Sequence, residues 1–374
     1  MNPFQIDKLA DPKDFCGRTD ELKRLKDLII NKANVMMYGD RRYGKTSLIK
    51  HCFYSLPTNV LPVYLDIYDI TDKYDFARKL YEAVGKATPN SLRKQTGKLL
   101  DYISRLKGVS MSPSRSGESF ALKPHFESKD FDQLLASAME LIEQYCKHSK
   151  CTHAVIAIDE FQQVADLKDV KIDAKLREIS QSSNYVSFIF SGSRKSILRD
   201  LLSQPKQPWY QMTTPMSIKG IDVGILKKHC QKKLGGKFEA QAFEYIYNTF
   251  RGQTRLILSA CARLYGNNIK SPKYTQCERI VKQMVEEHRD EFTEKFLLFA
   301  AGYKKALKAV AMSPEGGIYE QQNLDNLNTS KQSLLRSISA LEKQDILQKV
   351  SEGHYHFHNI LFGIWMISEQ RHDV

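Results

Sequence analysis

Residues 39–46 of this sequence have the composition and spacing of a phosphate-binding loop. They are Gly39, Asp40, Arg41, Arg42, Tyr43, Gly44, Lys45 and Thr46, which fit the pattern G-x-x-x-x-G-K-S/T between an apolar run and a helix-like run that opens with Ser47. In such a turn, backbone N–H groups and the positive end of the helix hold phosphate groups. The Lys45 amino group adds a positive charge, and the Thr46 hydroxyl is a ligand for Mg²⁺. The sequence therefore predicts a nucleotide-binding site over residues 39–47.

Two carboxylates follow the apolar run 154–158, which is typical of a buried strand. Asp159 stands where the strand ends, and an aspartate at this edge of a nucleotide-binding sheet holds Mg²⁺, usually through water. Glu160 is then placed to polarise the water that attacks the terminal phosphate. The pair is common by chance, but downstream of a phosphate loop it predicts metal support by Asp159 and general-base catalysis by Glu160.

Serines end the next apolar run, at 185–190. Ser191 and Ser193 are equal candidates for a side chain that touches both the attacking water and the terminal phosphate and so senses that phosphate. The alternative is a serine-rich cap on the helix that follows. Arg194 and Arg199 are candidates for an arginine that reaches a neighbouring subunit's nucleotide, although a surface position is the commoner outcome for such residues.

A predicted helix opens within residues 250–257. Arg255 in its first turn is our choice for a side chain that leans over the terminal phosphate and couples closure of a lid to nucleotide state, with Arg251 second. Arginines at helix starts are commonly solvated, and that is the alternative.

The candidate site residues come together only if the strands that precede them end at the same edge of one sheet. Apolar runs alternate with helical patterns through the first two hundred or so residues, an order that predicts a parallel α/β sheet. We expect an α/β nucleotide-binding domain at 1–221, a helical lid at 222–300 and a third domain at 301–374. Residues 108–127 hold Gly, Ser, Pro and Arg and are predicted to form a mobile surface loop.

The composition is that of an ordinary globular protein, with 374 residues, 42% hydrophobic and 26% charged. No run of about 18 apolar residues is present, which argues against a membrane span. The N-terminus lacks the basic-then-apolar layout of a signal peptide. Seven scattered cysteines favour free thiols in a reducing compartment. We therefore expect a cytoplasmic protein.

The formal net charge is +13. The densest positive patch consists of Lys219, Lys227, Lys228, Lys232, Lys233 and Lys237, opposed only by Asp222. Such an excess favours a polyanionic partner, most simply nucleic acid such as duplex DNA. The alternative is a solvated helical face of a basic protein.

Residues 303–374 contain two short helical patterns followed by a predicted β-hairpin at 346–357. This order resembles a winged-helix domain, in which Lys331, Ser333 and Arg336 would face the major groove of DNA. The segment holds 8 basic and 8 acidic residues, a net charge of zero. That neutrality counts against DNA reading, because phosphate neutralisation supplies most of the affinity. The alternative is packing on the nucleotide-binding domain or on a protein partner.

Taken in order, these motifs resemble those of the AAA+ superfamily of P-loop ATPases, in particular its origin-recognition-like branch and the archaeal-type ATPases related to signalling NTPases. Residues 15–22 look like the F-x-G-R-x-x-E-L box near the adenine, which implies nucleotide contacts by Phe15, Gly17 and Arg18. Residues 252–255 look like the second sensor, G-D-x-R, with Gln253 in place of the acid. Serine also stands at the 185–190 strand end where many members have Asn.

The resemblance spans roughly residues 13–270. It implies an AAA+ core with a helical lid and a C-terminal winged helix, and ATP and Mg²⁺ as ligands.

Two functions are compatible with these features. The first is an ATP-hydrolysing switch whose nucleotide state sets its grip on nucleic acid, and the lysine patch favours it. The second is a nucleotide-gated scaffold with little turnover that binds a protein partner, and the neutral C-terminal segment favours it. Assembly into a homo-oligomer stays open. In either case catalysis would be positioning and charge neutralisation rather than covalent chemistry.

Overall fold

The computed structural model describes residues 2–4, 6, 14–88, 109–113, 120–124, 130–167, 172–193, 195–205 and 207–372. They form two compact units. The first consists of residues 5–226 with 252–255, and the second of 1–4, 227–251 and 256–374. In these described ranges, no helix is long and apolar enough to cross a membrane. The division into domains at 1–221, 222–300 and 301–374 stays a prediction.

The first unit is built on a five-stranded parallel sheet, which confirms the predicted α/β class. Its strands are β1 (Val35–Tyr38), β2 (Val60–Asp66), β5 (His153–Asp159), β6 (Val186–Gly192) and β7 (Thr214–Ser217), in the order β2-β5-β6-β1-β7. Its helices are α1 (Thr19–Ile30), α2 (Lys45–Tyr54), α3 (Lys73–Ala87), α4 (Phe131–Lys147), α5 (Ile172–Ser182) and α6 (Lys195–Leu202), with a 3-10 helix at Phe161–Asp166.

Helices cover both faces of this sheet, so its central strands are buried along their whole length. All seven residues of β5 and all seven of β6 are buried. Neighbouring residues of a strand enter different cores, because side chains alternate between the faces. Met36 and Phe188 belong to one core, whereas Val35, Met37 and Ile189 belong to the other.

The register of the strands brings three chain segments to one edge of the sheet. Tyr38 at the end of β1 is opposite Gly192 at the end of β6, and Ile158 near the end of β5 is opposite Phe190. The residues that follow β1, β5 and β6 therefore lie side by side. In open parallel sheets this carboxyl edge is where ligands bind.

One expectation about this unit is wrong. Ten residues of the predicted mobile loop at 108–127 form an antiparallel pair, β3 (Val109–Pro113) and β4 (Phe120–Pro124). The signal was present, since Val109-Ser110-Met111-Ser112 alternates apolar and polar residues as a strand does. Residues 108, 114–119 and 125–127 lie outside the described ranges.

The second unit is mainly helical. It contains most of α7 (Val223–Leu234) and α9 (Thr254–Gly266), whose first residues belong to the other unit, and α8 (Ala242–Thr249), α10 (Tyr274–Glu286), α11 (Arg289–Leu298), α12 (Ala301–Met312), α13 (Gln321–Asn326), α14 (Lys331–Lys343) and α15 (Ile360–His372). Strands β8 (Leu347–Ser351) and β9 (His354–Phe357) pair antiparallel between α14 and α15.

Helices α12, α13 and α14 are followed by the hairpin of β8 and β9, an order compatible with the predicted winged helix. Leu334, Ile338 and Leu341 of α14 are buried, and the predicted hairpin is confirmed. Lys331 and Arg336 lie on the exposed side of the helix. The helix therefore presents a solvent-facing surface of its own.

Candidate nucleotide-binding site

The predicted phosphate loop lies between β1 and α2, at the carboxyl edge of the sheet. Gly44 has φ 88°, in the left-handed region that glycine adopts without strain. A Cβ on Gly39 would lie 2.2 Å from the carbonyl oxygen of Ile218, so only glycine allows the backbone after β7 to approach this closely. Both glycines of the motif are thus required by the geometry of the loop, not only by its pattern.

The amino group of Lys45 is enclosed by the loop. Its Nζ donates hydrogen bonds to the carbonyl oxygens of Gly39 at 2.8 Å and Asp40 at 3.0 Å, and the residue is 6% exposed. Burial lowers the pKa of Lys45, whereas the nearby carboxylates of Glu160 and Asp159 raise it. The loop therefore holds a shielded cation beside two acidic side chains.

Asp159 is linked directly to the loop. Its Oδ2 accepts a hydrogen bond of 2.5 Å from the Thr46 hydroxyl and one of 3.0 Å from the hydroxyl of Tyr64 on β2. The carboxylate is 2% exposed. Burial, and next the charge of Asp159, raise the pKa of Tyr64, so this hydroxyl stays protonated as a donor. A hydroxyl and a carboxylate at this distance form the oxygen-rich environment that suits Mg²⁺.

Tyr64 is a site residue that the sequence did not reveal. It lies inside an apolar run, and only the parallel pairing of β2 with β5, with Asp66 opposite Asp159, brings its hydroxyl to Asp159. Lys50 of α2 lies over the Tyr64 ring, with Nζ 4.3 Å from the centroid. No local signal marks either contact.

The Glu160 carboxylate receives its hydrogen bonds on one oxygen. Oε2 accepts from Nε2 of Gln162 and, at 3.5 Å, from the Ser193 hydroxyl. Ser193 in turn accepts a hydrogen bond of 3.4 Å from Nε of Arg41 in the phosphate loop. The candidate general base is thus connected to the loop through Ser193.

The two serines at the end of β6 are not equivalent. Ser191 is fully buried within the strand, and its hydroxyl has no hydrogen-bond partner in the part of the chain that the structure describes. Ser193, just past the strand, contacts Glu160. The geometry favours Ser193 over Ser191 for sensing, although that role stays a prediction for both.

Arg255 belongs with the loop in the first unit. The amide of Gln253 donates a hydrogen bond of 3.2 Å to the carbonyl oxygen of Arg41. Burial is the largest cause that lowers the pKa of Arg42, and the charges of Arg255 and Arg41 add to it. The guanidinium groups of Arg255 and Arg41 therefore each lie close enough to that of Arg42 to repel it, an arrangement that a polyanionic ligand would stabilise.

Arg251, the second choice for the lid role, belongs to the other unit. It donates a hydrogen bond of 3.1 Å to the carbonyl oxygen of Phe357 there. Of the two arginines for a subunit-bridging role, Arg199 is exposed on α6 and Arg194 lies outside the described residues.

Arg18, in the box at 15–22 that is predicted to lie near the adenine, contacts the backbone of the phosphate loop. The buried Arg18 guanidinium donates to the carbonyl oxygens of Tyr43 at 2.6 Å and Lys219 at 2.7 Å. Phe15 stacks on the ring of His51, with centroids 4.0 Å apart. Gly17 has φ 64°. Contacts of these three residues with a nucleotide stay predictions.

Two of the lysines predicted to meet nucleic acid have partners within the protein. Lys227 pairs with Glu244 at 2.7 Å, and Nζ of Lys233 donates to the carbonyl oxygen of Pro3 at 2.8 Å. Lys228 and Lys232 are exposed. The patch available to a polyanion is therefore smaller than the sequence predicted.

Comparisons with known proteins agree with this geometry. Residues 30–202 match the model of a family described as AAA domain. No curated protein matches the chain.

Several solved structures share its fold. The Walker-type ATPase PABY2304 of Pyrococcus abyssi is 14% identical with a TM-score of 0.66, over 97% of this chain and 99% of that one. The ORC1 protein of Aeropyrum pernix in complex with DNA is 15% identical with a TM-score of 0.50, over 96% and 93%. The ADP form of the ORC2 protein of Aeropyrum pernix is 13% identical with a TM-score of 0.53, over 98% and 97%. At these identities the similarity concerns the fold.

Proposed function

We propose that this chain is an AAA+ P-loop ATPase that hydrolyses Mg·ATP and uses the nucleotide state to control its binding of nucleic acid, and the match of residues 30–202 to the AAA domain supports this proposal. The observation that carries the proposal is the 2.5 Å hydrogen bond between Thr46 and the buried Asp159. It joins the phosphate loop to the end of β5, where the oxygens of Thr46 and Asp159 would hold Mg²⁺.

Each residue has a role that follows from its place. Lys45 would neutralise charge on the phosphates, and Thr46 and Asp159 would hold Mg²⁺. When bound, Mg²⁺ supplies Lewis-acid polarisation of the phosphate oxygens. Glu160 would take a proton from water as the water oxygen attacks the terminal phosphorus and ADP leaves. Arg255 would offset charge on the same phosphate from the Gly252–Arg255 segment.

The nucleic-acid part of the proposal rests on α14. Its exposed side carries Lys331, Ser333 and Arg336, and Ser330 caps the helix by accepting a hydrogen bond from the Ser333 backbone. A winged helix places such a side in the major groove. Lys228 and Lys232 on α7 supply further exposed charge. One of the structures with this fold is a complex with DNA.

A second candidate function is a nucleotide-gated scaffold with low turnover that binds a protein. It is favoured by apolar residues on the same surfaces, since Leu335 of α14 is 43% exposed and Val350 of the wing 50% exposed. Exposed apolar side chains beside neutral charge are typical of protein interfaces rather than of DNA contacts.

Phosphate release from Mg·ATP, with and without duplex DNA, separates the two candidates. The proposal predicts release that rises with DNA, and duplex affinity that falls steeply with added salt. Lys45→Ala is the control for contaminating activity. Release that DNA leaves unchanged, with salt-independent binding, would refute the nucleic-acid switch and favour the scaffold.

A further inference from the structure

We propose that Gln162 is a positioning residue that fixes the orientation of the Glu160 carboxylate, so that its Oε1 oxygen is the one presented to the attacking water. The inference rests on the ATP hydrolysis proposed above. It adds a residue to that reaction which neither the motif nor the family resemblance identified.

The hydrogen bonds of Glu160 are the first support. Gln162 lies in the 3-10 helix that follows β5, is 2% exposed, and donates from Nε2 to Oε2 of Glu160. The Ser193 hydroxyl reaches the same oxygen at 3.5 Å. Among the described residues, no side chain or backbone group donates to Oε1. Oε2 is therefore occupied by two donors, and Oε1 is left to accept a proton from water.

The space around Gln162 is the second, independent support. A Cβ on Gly192, at the end of β6, would lie 2.1 Å from Oε1 of Gln162. Gly192 is not among the residues of positive φ, so its backbone conformation does not explain the glycine. The absence of a side chain there makes room for the buried amide next to Glu160.

The unpaired end of the amide points to the same conclusion. Oε1 of Gln162 is buried without a hydrogen-bond partner in the described part of the chain. A buried acceptor left unpaired is destabilising, and a side chain chosen only for packing would be apolar. The amide is therefore placed for the donor that it offers to Glu160.

Orientation matters here because the terminal torsion of a glutamate is broad and its carboxylate swings when nothing holds it. The backbone of Glu160 is fixed at φ 57°, and its N–H donates to Oδ1 of Asp159 at 3.1 Å. Gln162 fixes the other end of the same side chain. Geometric misplacement of about 1 Å in a reacting group costs roughly a hundredfold in rate.

The test compares Gln162→Met, which keeps length and loses the donor, with Gln163→Met as the matched control one residue along. Steady-state phosphate release gives kcat and KM, and a fluorescent ATP analogue gives nucleotide affinity without turnover. We expect kcat of Gln162→Met to fall at least about tenfold while nucleotide affinity stays within about twofold of wild type. Gln163→Met should retain wild-type kcat.

Gly192→Ala is a second test, because the added Cβ would displace the Gln162 amide from Glu160. This variant tests the inference if Gln162→Met does not fold. Wild-type kcat in a folded Gln162→Met or Gly192→Ala protein would overturn the inference, as would a loss of kcat matched by an equal loss of nucleotide affinity. A wild-type protein that releases no phosphate would instead refute the proposed hydrolysis, and this inference with it.

Discussion

The Tyr64 hydroxyl and the Asp159 carboxylate are joined by a hydrogen bond of 3.0 Å, on the same oxygen that the Thr46 hydroxyl contacts at 2.5 Å. The two donors come from β2 and from the phosphate-loop helix, so the carboxylate is held between two elements of the fold. Asp159 Oδ1 accepts the Glu160 backbone N–H. The proposed metal carboxylate is therefore preorganised by protein contacts on both of its oxygens.

Tyr64→Phe is expected to weaken the response to Mg²⁺. The change removes one donor to Asp159 and leaves the ring in place, and the loss of such an outer partner typically costs about tenfold or more in metal affinity. We predict a rise of that size in the Mg²⁺ concentration that half-saturates ATP binding. Tyr54→Phe, at a 79% exposed position on α2, is the control. An unchanged Mg²⁺ dependence would contradict this role for Tyr64.

Arg18→Ala is expected to destabilise the first unit. The substitution leaves the carbonyl oxygens of Tyr43 and Lys219 without the donor that now pairs them. We predict a loss of about 3 kcal/mol in the free energy of unfolding, measured by urea denaturation. Arg24→Ala, at an exposed position of α1, should cost about 0.5 kcal/mol or less. Equal losses in the two variants would show that Arg18 does not brace the loop.

His153 is expected to make the protein acid-sensitive. It is 1% exposed, and burial lowers its pKa below the ordinary value of 6.5, with Nε2 donating to the carbonyl oxygen of Ile29 at 2.9 Å. Because the folded pKa is the lower one, the unfolded chain takes up the proton first. The contribution of His153 is therefore complete above its unfolded pKa and is lost as pH falls from there through the folded pKa.

Urea denaturation at a series of pH values checks this expectation. His153→Gln should reduce the loss of unfolding free energy that occurs as pH falls below about 6.5, the ordinary pKa of histidine. His148→Gln, at an exposed position, should behave as wild type. A wild-type slope in His153→Gln would mean that another group carries the acid sensitivity.

Lys331→Ala is expected to weaken duplex DNA binding uniformly across sequences. Lys331 is exposed at the start of α14, and on the proposed DNA-binding side of that helix its charge would neutralise a phosphate at the edge of the major groove. We predict that the slope of log affinity against log salt becomes shallower by about 1, as measured by fluorescence anisotropy. Lys282→Ala, at an exposed position of α10, is the control. An unaltered slope would remove α14 from the DNA-binding surface.

The parts of the candidate site that consist of consecutive residues could be predicted from the sequence. The phosphate loop needs consecutive residues with special backbone angles, and Asp159-Glu160 directly follows an apolar run, so both were visible as patterns. The parallel sheet followed from strands alternating with helices. The hairpin of β8 and β9 was predicted from apolar runs on either side of a turn.

Contacts that depend on strand register were not predictable in this way. Tyr64 reaches Asp159 only because β2 pairs with β5, and Gln162 fits only because a glycine ends the neighbouring strand. Ser191 and Ser193 looked equal until the length of β6 placed the first inside the sheet and the second beyond it. The strands at 109–113 and 120–124 were missed because glycine and proline in the surrounding segment outweighed a short alternation.

Identification of the nucleotide that remains bound after incubation with Mg·ATP tests the central claim most directly. The account predicts that wild type yields ADP, that Glu160→Gln retains intact ATP, and that Lys45→Ala retains little of either. ATP that Glu160→Gln binds but does not hydrolyse would place Glu160 in the chemical step. Loss of bound nucleotide in Lys45→Ala would place Lys45 in phosphate binding. ADP formed by Glu160→Gln at the wild-type rate would contradict the assignment of Glu160 and with it the proposed hydrolysis mechanism.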